Sequence, residues 1–129
     1  LKSPQVIVDV AHNPHAAQAL MSNLAAERCT GKTMVVMAML ADKDIRAVVK
    51  IMSAEIDVWH VAALQHPRAA DLPVLLDAIQ NAGINTAIFS YENLQIAYRE
   101  AYKQATENDR IIVFGSFFTV AAIMQILPE

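Results

Sequence analysis

The chain has 129 residues, 55% of them hydrophobic and 18% charged, with a formal net charge of −3. This composition excludes disorder and fits one domain, residues 1–129, large enough to bury a core without staples. The acidic balance gives no footing for non-specific nucleic-acid binding, and the longest apolar run, Met34 to Ala41, is too short to cross a membrane. A single cysteine, Cys29, permits no internal disulfide and points to a reducing, cytoplasmic setting. The start at Leu1 rather than Met, with no signal-like segment, suggests an excised piece of a longer protein.

Taken in order, the elements alternate. Val6–Val10 is a first apolar run, followed by an alanine-rich helix from His15 to Glu27 behind Pro14, with Gly31 expected as its C-cap. Thr33–Met39 is the second run. Ile45, Val48, Val49 and Met52 then repeat at i, i+3, i+4 and i+7, with Asp44 as N-cap. Val58–Val61 is the third run. Its helix carries Val74, Leu75, Ala78 and Ile79, with Asp71 as cap, Pro73 in the first turn and Gly83 beyond the end. Thr86–Phe89 precedes a stripe from Leu94 to Ala105, with Ser90 expected as its cap. Ile111–Phe114 precedes a last helix over Thr119–Leu127. Runs apolar on both faces predict central parallel strands covered by helices on both sides. Five β-α repeats predict the α/β class: a Rossmann-like three-layer α/β/α sandwich on a mostly parallel sheet of five or six strands.

Glycine usage excludes two nucleotide motifs. With only Gly31, Gly83 and Gly115, a G-x-G-x-x-G fingerprint is impossible. Gly31-Lys32-Thr33 imitates the end of a P-loop, but Ala26 stands where the first glycine belongs, and the order is helix then strand.

In such folds the ligand site lies outside the carboxyl ends of the strands. Asp9, His12, Asn13 and His15 follow the first run, Asp42, Lys43 and Asp44 the second, Gln65, His66, Pro67 and Arg68 the third, and Gly115 and Ser116 the fifth. Three of the four histidines lie on this edge, whereas the opposite edge carries bland turns. Each residue also has a plainer use. Asp9, Asn13, Asp44 and Ser116 suit helix caps, His12 an ordinary loop position, and Pro67-Arg68 a generic loop. At Ser116 the helix start equally suits an anionic group such as a carboxylate. His12, His15 and His66 lack a compact metal signature, so no metal site is expected in this chain. His60, inside a strand, reads as structural. Cys29 has no evident base partner, and the six methionines read as core filler.

Asp9-Val10-Ala11-His12-Asn13-Pro14 resembles the D-x-A-H-N-P segment of the Mur ligase superfamily, whose C-terminal domain it opens. With His15 and Ala16 it is similar to the folate branch, the folylpolyglutamate and dihydrofolate synthases. Asp42-Lys43-Asp44, Pro67-Arg68 and Gly115-Ser116-Phe117 resemble further segments of the family in order and spacing, so the resemblance covers essentially the whole chain. It implies an ATP-dependent ligase that adds L-glutamate to dihydropteroate or folate through an acyl phosphate, with ATP and Mg2+ held mainly by an upstream P-loop domain that this chain lacks. By resemblance, Asp9 binds the ATP ribose, with His12 and Asn13 beside the nucleotide, and His12 lies at the reacting centre. Ser116, with His15, Lys43 and Arg68 on the same rim, contacts the glutamate. A peptidoglycan-precursor or cyanophycin ligase domain, or a stand-alone Rossmann-like small-ligand binder, remains open. A receiver domain does not fit, because Asp57 sits at the start of the third run rather than its end.

Overall fold

The computed structural model describes residues 3–127. Five strands alternate with five helices: β1 (Gln5–Val8), α1 (Pro14–Ala26), β2 (Thr33–Met37), α2 (Ile45–Met52), β3 (Val58–Val61), α3 (Leu72–Asn81), β4 (Ala87–Ser90), α4 (Leu94–Gln104), β5 (Arg110–Phe114) and α5 (Phe117–Met124). The strands form one sheet in the order β1-β5-β2-β3-β4, and every pairing is parallel. The fold is therefore α/β and Rossmann-like.

The two-residue alternation of strand side chains divides the core. Val35, Met37, Trp59, Val61, Ile112 and Phe114 face α1, α2 and α3. Met34, Val36, Val58, Ile111 and Val113 face α4 and α5. Each helix answers with one stripe, for example Ala17, Leu20, Met21 and Leu24 on α1 and Leu94, Ala97, Tyr98 and Ala101 on α4. Five of the six methionines are core filler, while Met124 is exposed.

Several expectations need correction. The sequence predicts uniformly covered strands, but β1 and β4 are sheet edges with exposed residues. β1 stops at Val8 because Asp9 turns the chain, and β2 stops at Met37 rather than Met39. α4 is capped by Asn93, whose Oδ1 accepts from Ile96 N at 2.8 Å; Ser90 ends β4 instead. Asp71 makes no side-chain capping bond. α5 begins at Phe117, two residues before the predicted start. Gly31 does not cap α1, which ends at Ala26. Gly31 is needed because a Cβ there would lie 2.1 Å from Asp109 Oδ1.

Candidate functional site

At the carboxyl end of β1, the Asp9 backbone N–H still donates to Val113 O at 2.9 Å, extending the ladder by one bond. The Asp9 side chain then closes a local turn: Oδ1 accepts from Ala11 N at 2.8 Å. Only one carboxylate oxygen is occupied there, so Oδ2 keeps its acceptor capacity. Asp9 also lies at one end of a cavity of about 530 Å3 between β1 and α1.

His12 Nδ1 stands 2.8 Å from the carbonyl of Val10. A carbonyl only accepts, so Nδ1 carries a proton and donates. In the neutral ring this leaves Nε2 as a lone-pair acceptor at a half-buried position on the rim. Asn13 is the N-cap of α1, its Oδ1 accepting from Ala16 N at 2.8 Å, so its amide NH2 is the part left for a ligand. His15 lies exposed in the first turn of the same helix.

The second and third loops are fastened together. Ala41 N donates to Arg68 O at 2.8 Å and Ala70 N to Met39 O at 2.9 Å, flanking an antiparallel bridge between Leu40 and Ala69. This clamp places the exposed Arg68 side chain 3.5 Å from Asp42. Lys43 emerges half-buried from the turn before α2 and forms no ion pair among the described residues. Asp44 is the α2 cap, accepting from Ala47 N at 3.3 Å.

The fifth loop brings β5 close to β2. Gly115 has φ +127, and a Cβ there would lie 2.0 Å from Ala38 O. Thr119 Oγ1 donates to that same carbonyl at 2.7 Å, and Ser116 Oγ accepts from Thr119 N at 3.0 Å. The two hydroxyl oxygens are 3.1 Å apart. Because the Thr119 proton goes to Ala38, the Ser116 hydroxyl is the donor of that pair. Ser116 is only 3% exposed. What it presents to the rim is the start of α5, whose first backbone N–H groups lack partners within the helix. Phe117 in that helix start and Val10 in the loop after β1 stay 66% and 49% exposed.

The sequence-derived candidates thus lie on one edge. Asp9, His12, Asn13 and His15 share one loop-and-helix start, Lys43 and Arg68 share the clamped loops, and Ser116 shapes the α5 start from beneath. The sequence places Asp42 and His66 on this edge without giving them partners, and it reads Thr119 only as the start of the last helix. Their partners are 26, 81 and 52 residues away in sequence (68 − 42, 119 − 38, 118 − 66), and no local pattern encodes such pairings. Among the described residues no group of three His, Cys, Asp or Glu side chains converges to hold a metal, and no helix is long and apolar enough to cross a membrane.

The family profile described as Mur ligase, glutamate ligase domain, matches residues 2–117. The chain belongs to this family. It is 36% identical over 126 residues to the dihydrofolate synthase/folylpolyglutamate synthase of Escherichia coli K12, covering 98% of this chain and 28% of that protein. Escherichia coli FolC in complex with ADP superimposes with a TM-score of 0.89 at 36% identity, over 98% of this chain and 29% of that one. A bifunctional folylpolyglutamate synthase/dihydrofolate synthase with Mn, AMPPNP and L-glutamate bound gives a TM-score of 0.87 at 37% identity, over 98% of this chain and 30% of that one. The chain therefore spans under a third of the length of these relatives. As a Mur-type domain it places its D-x-A-H-N-P segment, Asp9 to Pro14, from the turn after β1 to the first residue of α1.

Proposed function

We propose that this chain is the C-terminal domain of an ATP-dependent ligase that joins L-glutamate to dihydropteroate or a folate through an acyl phosphate. The carrying observation is the carboxyl rim, where a partly free carboxylate, an open imidazole nitrogen, two cationic side chains and a helix start face outward together. Similarity to folate-branch ligases with bound ADP, AMPPNP and L-glutamate supports the substrate assignment. A P-loop domain upstream in the same polypeptide would hold ATP and magnesium. The described residues here offer no cluster of three or more His, Cys, Asp or Glu side chains to hold the metal. The lone, half-buried Cys29 and the substrates named suit the cytoplasm.

In this reading ATP phosphorylates the acceptor carboxylate, the glutamate nitrogen attacks the acyl carbon, and phosphate leaves as the amide forms. Asp9 accepts ribose hydroxyls with the oxygen not used by Ala11, and the Asn13 amide donates beside the nucleotide. His12 in its neutral form takes the proton from the attacking amine at Nε2, while Nδ1–H stays anchored to Val10. The cations Lys43 and Arg68 and the α5 start bind the carboxylates of glutamate, with His15 at the margin of the site. Exposed Phe117 and Val10 are covered when the two domains close, which excludes water from the acyl phosphate.

The test uses the intact ligase. His12→Ala should lower kcat by about 10²–10³ with the fold preserved, and Asp9→Ala should raise the KM for ATP. Near-normal turnover of folded His12→Ala would remove His12 from the reaction. The purified 129-residue chain should show no turnover, and incorporation of an amino acid other than glutamate would reassign the substrate.

A further inference from the structure

His66 lies in the loop after β3, where its carbonyl accepts from Ala69 N at 3.0 Å and its side chain makes two contacts. Its Nδ1 accepts the backbone N–H of Arg68 at 3.0 Å. This i to i+2 bond is the one an Asn or Asp side chain makes in an Asx turn. Its ring rests on Phe118, with centroids 4.4 Å apart and planes inclined at 39°. Phe118 is the second residue of α5, two positions after the cap Ser116. One side chain thus connects the backbone of Arg68 to the helix start that Ser116 shapes.

The geometry leaves this job to His66. The Arg68 carbonyl is already held by Ala41 N, and its guanidinium reaches Asp42 only at 3.5 Å, on the exposed side. The Arg68 N–H has the imidazole as its partner. Beside the ring lies an open cavity of about 280 Å3 that His66 and Phe118 help to line. On that side the loop borders open space, and among the described residues the imidazole links it to α5.

We propose that His66 is a positioning residue for amino-acid capture: it fixes the Arg68 backbone relative to α5, and so sets where the guanidinium stands. This rests on the reading of the rim as the amino-acid subsite. His66 touches no reacting atom, and its effect passes through Arg68.

The two contacts can be separated by substitution in the full-length ligase. His66→Asn keeps an acceptor for the Arg68 N–H but has no ring. His66→Phe keeps the ring on Phe118 but has no acceptor. His66→Phe should raise the KM for the amino acid roughly five- to tenfold, the scale of one lost hydrogen bond, with kcat changed by less than about twofold. His66→Asn should stay within about twofold of wild type in both. In an Arg68→Ala background His66→Phe should have no further effect on KM, a coupling that a purely structural role would not produce. The proposal is overturned if His66→Phe leaves KM unchanged, if His66→Asn is impaired as much as His66→Phe, or if the two effects add in the double variant. Arg68→Ala alone separates the layers. If it leaves the amino-acid KM unchanged, the subsite reading itself fails; if it raises KM while His66→Phe does not, only the role of His66 fails.

Discussion

Mild acid should destabilise this domain through one buried imidazole. His60 sits in β3 with no exposed surface, stacked on Phe89 at 5.5 Å and on Tyr91 at 5.7 Å. Nδ1 pairs with the Tyr91 hydroxyl at 2.9 Å, while Nε2 has no hydrogen-bond partner among the described residues. Protonation would make both nitrogens donors and leave a charged N–H buried without an acceptor. Burial accordingly pushes the pKa down from 6.5 to about 4. The folded state thus favours the neutral ring, and the unfolded chain binds the proton first as pH falls. Stability is complete above about pH 6.5 and declines as pH drops toward 4. The full loss is roughly 3 kcal/mol, and about 2 kcal/mol of it is gone at pH 5. Urea unfolding at pH 7 and pH 5, for wild type and for His60→Leu, isolates the effect by difference. Wild type should lose about 2 kcal/mol more than the variant over this interval. Equal losses in the two proteins would refute the assignment.

Other consequences concern the joints of the fold. Gly115→Ala should cost more than about 4 kcal/mol or prevent folding, because it combines a φ of +127 with a Cβ 2.0 Å from Ala38 O; circular dichroism melting reports it. Arg110→Met should cost about 3 kcal/mol in urea unfolding, since loss of Arg110, a residue only 3% exposed, leaves Thr33 Oγ1 and the Leu24 and Glu27 carbonyls without its guanidinium as donor. By contrast, Arg46→Ala should change stability by less than about 1 kcal/mol, its pair with Asp77 being largely solvated. Thr119→Val should cost about 1–2 kcal/mol by removing the bond to Ala38 O, and in the intact ligase it should raise the amino-acid KM by loosening the α5 start.

The layer order was legible because buried parallel strands are apolar on both faces, and Met34 to Ala38 read that way on either side of the sheet. The element ends were less legible. Val6–Val10 looks continuous in sequence, yet Asp9 takes Ala11 N–H and stops β1, leaving Val10 49% exposed. Ser90 and Asn93 are both acceptable caps by type. Only the backbone turn after β4 decides for Asn93. Gly31 looked like a helix terminator, but its reason is the approach of Asn108 and Asp109 from a distant turn. The rim followed the same division. Strand-end position drew attention to Asp9, His12 and Ser116. The Asp42–Arg68 and His66–Phe118 contacts join separate loops, and nothing local announces them.

Both edges of the sheet carry charged residues, and the buried ones of the amino edge, Asp109 and Arg110, are the most fully used. At the amino edge Asp109 accepts from Lys32 N at 2.7 Å and Thr106 N at 2.8 Å, and Asp57 accepts from Thr33 N at 2.8 Å. Burial would raise the Asp109 carboxyl, but the bonds from Thr106 and Lys32 outweigh it and hold the group below its ordinary value. Arg110 there spends its guanidinium on Thr33 and the end of α1. Asp109 and Arg110 thus spend their capacity on closing the fold, whereas Asp57, like Asp9, keeps one carboxylate oxygen. At the carboxyl edge Asp9 keeps one oxygen, His12 keeps Nε2, Lys43 has no ion pair among the described residues, and Arg68 holds Asp42 only at 3.5 Å. The proposed substrate rim draws on this leftover capacity, and the His12 and Asp9 substitutions in the intact ligase test whether it is used.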